Sequence, residues 1–420
     1  MSAANDTLAV PRQVPFTPNN RPTAAGWILL LMALSLFASA IKSWRPTIAG
    51  LSIHPYVFVL VLAAPVAIFW KHPVHVRRSL DGWGLMLLIG VFLSFATNGV
   101  AGRSLPLLAK WGAMGVTFMV TTRLVRSEAD YRLGLIGMTI AVAAIGLRGL
   151  FLHQFTPRSY VEVMPGIGSR NIYSFWTLAP IAFCVWVLAT KGPSRRAKLI
   201  TTALLAMMVV PQVLSLSRSG WVLIVATVGL VLAMKRSLRL VLPVLVIGFT
   251  VQWGISSYGS GKHVNSRIRD LQEGTTSDAN RGRLIRGGLE LFLDNPVFGV
   301  SQTKLQILLG RKLRFGPMAS HNLIVDMLAG TGLLGLVPLL MCGLVILRRW
   351  WVLRKMGAGP AADAAGIIPV LLALILLRSM TADEIIYNPA VMISLALAYG
   401  AANVAIGERR AYARQMSARA

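Results

Sequence analysis

The sequence predicts an all-α polytopic membrane protein of about twelve transmembrane helices, with one long loop near its C-terminal third. Three observations carry that expectation. Of the 420 residues, 55% are hydrophobic and only 14% are charged, against roughly a quarter charged in ordinary soluble domains. The apolar residues come in blocks of about 20, the length a helix needs to cross roughly 30 Å of hydrocarbon. Only residues 258–320 form a long polar stretch.

The predicted spans, in order, are 24–41, 51–70, 82–97, 105–124, 133–152, 171–190, 197–216, 219–234, 238–257, 321–347, 364–380 and 387–407. The spans 197–216 and 219–234 are separated by a tight reversal around Ser217-Arg218, because one helix covering both would be too long for a single bilayer crossing. Five segments follow: an N-terminal tail 1–23, spans within 24–257, the loop 258–320, spans within 321–407 and a tail 408–420. Ala38-Ser39-Ala40 looks like a cleavage site after an apolar stretch, but an uncleaved first span fits the even topology equally well.

The net charge of +27 would suggest nucleic acid in a soluble protein. Here it lies mostly in the short connections between apolar blocks, where lysine and arginine set orientation. With a cytoplasmic N-terminus, the cytoplasmic segments hold 23 basic residues and the short outer loops eight. Both termini are therefore expected in the cytoplasm, the long loop in the periplasm, and no nucleic-acid partner. Cys184 and Cys342 fall inside apolar blocks and read as small buried hydrophobes.

The long loop opens with Ser256-Ser257-Tyr258-Gly259-Ser260-Gly261, a flexible exit. It then carries two amphipathic stretches, about 281–293 and 303–314, of the kind that lie along a membrane surface or plug the end of a bundle. The first holds Arg281, Arg283 and Arg286, with Leu284, Ile285, Leu289, Leu291 and Phe292 on one broad face, and ends at Asp294-Asn295-Pro296.

Three stretches then share an order along the chain: Ser215-Leu216-Ser217-Arg218-Ser219-Gly220-Trp221; Arg281-Gly282-Arg283-Leu284 leading to Asn295-Pro296-Val297-Phe298-Gly299-Val300; and Ser320-His321-Asn322 leading to Gly332-Leu333-Leu334-Gly335. Together they resemble the O-antigen ligase and polymerase superfamily over roughly residues 165–345. The resemblance implies transfer of a glycan from undecaprenyl diphosphate to an acceptor at the periplasmic face, which for a ligase is the lipid A–core oligosaccharide. It implies that Arg218 and Arg283 engage the diphosphate and that His321 is the base. The family often carries an acidic residue where this chain has Gly330.

The chemistry of these residue types points the same way. Arginine binds phosphate oxygens bidentately and stays charged. A sugar hydroxyl is a weak nucleophile that needs a base. Ser320 reads as an N-cap, which puts His321 in the first turn of a span. The positive helix end there favours the neutral imidazole. Arg281, Arg286, Arg148, Arg170 and Asn322 are further candidates for the site. Asp383 or Glu384 could partner His321; being adjacent, they point about 100° apart on a helix, unlike the facing carboxylates of a glycosidase. No clustered carboxylates suggest a hard-cation site, so no metal and no cofactor are expected.

Other features carry less. Gly330-Thr331-Gly332-Leu333-Leu334-Gly335 spells a dinucleotide fingerprint but follows no strand; its small residues suggest close helix approach. His72 and His75 have no third ligand, and Lys110 within a span can snorkel to the interface. The expected function is therefore a metal-independent, inverting O-antigen ligase. The alternatives are an O-antigen polymerase, a protein O-oligosaccharyltransferase, and, from another class, a lipid-linked glycan transporter. A transporter would place its charges at the bilayer midplane, whereas here they gather at the outer face.

Overall fold

The computed structural model describes residues 21–40, 47–48, 51–69, 79–98, 104–152, 170–190, 192–214, 218–235, 276–312, 320–355, 366–380 and 388–418. Apart from a short antiparallel pair, Thr47–Ile48 with Leu51–Ser52, the described elements are helices. They are α1 (Ala24–Ala40), α2 (Pro55–Phe69), α3 (Ser79–Thr97), α4 (Ser104–Leu124), α5 (Glu128–Leu152), α6 (Arg170–Ala189), α7 (Arg195–Leu214), α8 (Arg218–Lys235), α9 (Thr276–Asp294), α10 (Gln302–Lys312), α11 (Leu323–Lys355), α12 (Ile368–Ser379) and α13 (Pro389–Ser417). The expected span 238–257 lies outside the described residues.

Five helical stretches are long and apolar enough to cross a bilayer: Leu80–Thr97, Glu128–Phe151, Arg195–Val213, Leu323–Lys355 and Pro389–Gln415. Shorter apolar helices accompany them at Ala24–Ala40, Pro55–Phe69, Tyr173–Ala189, Gly220–Lys235 and Ile368–Ser379. The chain is thus a multi-pass helical membrane protein. Helices α11 and α13 run well past the expected ends at 347 and 407. Arginine, lysine and tryptophan end the apolar run without ending the helix, because none of them disfavours helix strongly.

Side-chain size at a few positions fixes the packing. Helices α1 and α5 run parallel. Asp130 accepts hydrogen bonds from the Thr23 amide at 2.7 Å and the Thr23 hydroxyl at 3.1 Å, anchoring the start of α1. A Cβ at Gly26 would stand 2.4 Å from the Asp130 carboxylate. Helices α3 and α11 run antiparallel, with a Cβ at Gly90 falling 2.2 Å from the Leu334 carbonyl oxygen.

The two amphipathic stretches form a small second core. Leu284 and Leu291 of α9, Val300 of the turn that follows, Leu305 and Leu309 of α10, and Ala329 of α11 are buried together. Both helices lie close to their expected ranges, and they cover the N-terminal part of α11. The end of the bundle that carries α9 and α10 is called the loop end below.

Candidate functional site

The site begins with how α11 starts. Asn322, not Ser320, is its N-cap: the Asn322 side-chain oxygen accepts from the amides of Ile324 at 3.0 Å and Val325 at 3.2 Å. Ser320 instead closes a tight turn, its hydroxyl accepting from the Asn322 amide at 3.1 Å and donating to the Asn322 carbonyl at 2.9 Å. The buried Asp326 carboxylate accepts from the Ser320 amide at 3.3 Å. His321 is therefore not in the first helical turn, as expected from sequence, but just before the cap. It sits in the left-handed region with φ 55° and its side chain is exposed. A non-glycine residue held there costs about 1–2 kcal/mol. Such strain concentrates at functional positions.

The second feature is a break inside α11. Gly332 has φ 63° and ψ −162°, a conformation open only to glycine. The turn after α9 docks onto the break by backbone alone: Val300 N–H to Ala329 O at 2.8 Å, Leu333 N–H to Pro296 O at 2.9 Å and Leu334 N–H to Val297 O at 3.3 Å. A Cβ at Gly332 would stand 2.2 Å from the Val297 oxygen, and one at Gly299 would stand 2.6 Å from Ala329 O. Helix α3 closes the other side through Ser94 to Gly330 O at 2.6 Å and Asn98 to Gly299 O at 3.0 Å. The glycines expected to let helices approach serve mainly to let this turn cross the helix.

Gly330 is equally constrained. A Cβ there would stand 2.7 Å from Gln302 Cγ. Gln302 is held by Trp111 Nε1–H at 3.1 Å and reaches Met327 Sδ at 3.7 Å. The space for a side chain at 330 is therefore taken by α10.

These contacts set α9 in register with α11. A Cβ at Gly288 would meet Val325 Cγ1 at 2.4 Å, and Pro296 accepts from Leu333. Both pairs share one offset in numbering, so the two segments run parallel and in step. Arg281, Arg283 and Arg286 precede Gly288 on α9, as His321 precedes Val325, and all three arginines are exposed. Arg281 follows the buried line of Leu284 and Gly288, while Arg283 is on the flank. Arg286 faces away, towards Glu290, whose carboxyl is held below its ordinary range first by the hydrogen bond from Lys312 (2.5 Å) and further by the charges of Lys312 and Arg286. Arg283 makes no hydrogen bond or ion pair among the described residues.

The remaining candidates gather at the same end on other helices. Arg148 is half-buried near the end of α5, and Arg170 and Arg218 are the first residues of α6 and α8. Tyr173 of α6 donates to Met208 O of α7 at 3.4 Å, and a Cβ at Gly146 of α5 would meet Met207 O, so these termini lie together. Asp383 and Glu384 lie outside the described residues, as do His72 and His75. Lys110 is exposed on α4, beside the Trp111 that holds Gln302.

One residue was not singled out from sequence. Arg378, 2% exposed, ends α12 with its guanidinium carbon 4.5 Å from the Phe175 ring centre. Helix α12 packs against both α8 and α11, joining the element begun by Arg218 to the one capped beside His321. In sequence, Arg378 looks like any basic residue at a span end. Among the described residues no three His, Cys, Asp or Glu side chains come together as a metal site.

Residues 203–340 match the family model described as O-antigen ligase. The match spans all three motifs, and over that stretch it bears out the resemblance to the O-antigen ligase and polymerase superfamily. No curated protein matches the chain.

Proposed function

We propose that this chain, with its O-antigen ligase match at residues 203–340, is an O-antigen ligase of the bacterial inner membrane. In this proposal it transfers O-antigen from undecaprenyl diphosphate to the lipid A–core oligosaccharide at the periplasmic face. Both termini lie in the cytoplasm, and the 258–320 loop roofs a cleft open sideways to lipid. What supports the proposal is the 203–340 match, together with an exposed His321 held outside its helix by a left-handed turn and an arginine-bearing α9 that packs on the same helix, α11.

The steps follow from the side chains. Arg283 and Arg218 hold the diphosphate and stabilise the charge that grows on it as the glycosidic bond breaks; donors aimed at developing charge in a water-poor site contribute several kcal/mol. His321 takes the proton from the acceptor hydroxyl, which attacks the anomeric carbon in line and inverts it. Undecaprenyl diphosphate leaves. Arginine charge takes the place a cation would fill, so the reaction needs no added metal.

Purified protein, a lipid-diphosphate-linked O-antigen and a lipid A–core acceptor, with EDTA present, test this. A ladder of ligated product from wild type, lost in His321→Ala, supports ligation and the role of the base. Lengthening of the donor chains without transfer to core would make the protein a polymerase. Full activity in His321→Ala would remove His321 from the mechanism.

A further inference from the structure

The membrane-facing side of α11 can be followed by exposure. Below the break at Gly332, Leu333, Val337, Leu340 and Leu344 are exposed and recur on one side of the helix, the pattern of a lipid-facing stripe. Above the break, residues 323–331 have no exposed side chain, because α9 and α10 cover them. The apolar surface does not stop at Leu333. It continues onto Val297 and Phe298 of the docked turn and Leu293 at the end of α9, which are 49%, 38% and 74% exposed. The turn is fixed to Leu333 and Leu334 by two backbone hydrogen bonds, so this ledge is rigidly continuous with the stripe.

We propose that Leu293, Val297 and Phe298 form a ledge immersed in the bilayer leaflet at the loop end. The occupant is lipid because the ledge prolongs a surface that a bilayer must cover, and three large apolar side chains left in water would be unfavourable. Nothing in this proposal depends on the reaction proposed above.

Nitroxide labels placed by Leu293→Cys, Val297→Cys and Phe298→Cys, one at a time, test it in the full chain with Cys184→Ala and Cys342→Ala, in phospholipid nanodiscs. Leu340→Cys serves as the span control and Gln306→Cys, exposed on α10, as the water control. The ratio of oxygen to nickel-chelate accessibility at 293 and 297 is expected to match that at 340 and to exceed that at 306 several-fold. A ratio equal to that at 306 would put the ledge in water. Exclusion of both reagents would mean that protein covers it, a second copy included. Either result overturns the proposal. The three positions are independent, so failure of one labelled variant to fold leaves the others decisive.

Discussion

Helix α11 behaves as two elements joined at Gly332. Before the break, Leu323, Val325, Asp326, Met327, Ala329, Gly330 and Thr331 are all buried. After it, Leu333, Leu334, Val337, Leu340, Leu344 and Trp351 are exposed. Both parts are apolar, yet the first packs under α9 and α10 and presents His321, while the second turns its side chains outward. Hydropathy counts apolar residues but not what covers them. The difference lies in one glycine conformation and in a turn that donates and accepts hydrogen bonds where the helix would otherwise do so.

The sharpest contrast lies between the presenting end of the first part and everything else. His321→Ala is expected to lower transfer about 10²–10⁴-fold, the range for loss of a general base, with the thermal transition unchanged. A comparable loss of stability would mean that the His321 turn is structural. Next comes the break itself. Gly332→Ala forces a Cβ to 2.2 Å from Val297 O at a positive φ, and is expected to cost roughly 3 kcal/mol, read as a lower melting temperature in detergent. Gly343→Ala lies after the break in open space and should leave stability equal or raise it by up to about 1 kcal/mol, as helix propensity requires. Equal effects at 332 and 343 would erase the distinction between the two parts.

Smaller effects separate the arginines. Arg283→Ala is expected to slow transfer roughly tenfold to a hundredfold, the worth of about one charged hydrogen bond. Arg286→Ala, turned towards Glu290, should be near wild type in the same assay. The smallest shift is Asn322→Ala, expected to cost about 1 kcal/mol of stability through the lost cap, measured by thermal unfolding.

Much of the bundle was legible in the sequence, because a bilayer demands about 20 apolar residues per crossing and those blocks stand out. The helices α6, α7 and α8 follow from that rule. Helices α9 and α10 follow instead from the amphipathic stretches 281–293 and 303–314 of the polar loop, the first ended by Asp294-Asn295-Pro296. Other features depend on contacts far apart in the chain. Ser320 and Asn322 are both good caps, and only the hydrogen bonds to Ile324 and Val325 tell them apart. Gly332 reads as one small residue among several until Pro296 and Val297 are seen against it. Arg378 gives no signal of burial, because its cover is Phe175, some 200 residues away. For the site itself, the motif pointed to Arg283 over Arg281 and Arg286. The structure adds only that Arg286 is turned to Glu290 and that Arg283 has no protein partner among the described residues.

A double-variant cycle tests most directly whether His321 and Arg283 act on one bond, as the proposed mechanism requires. Transfer rates would be measured for His321→Ala, Arg283→Ala and both together, with donor and acceptor saturating. Groups that act as a unit in one transition state are strongly non-additive, so the double variant should be about as slow as the slower single one. A rate equal to the product of the two single losses would mean that the two residues act independently, which would contradict a site built jointly by α9 and the turn before α11.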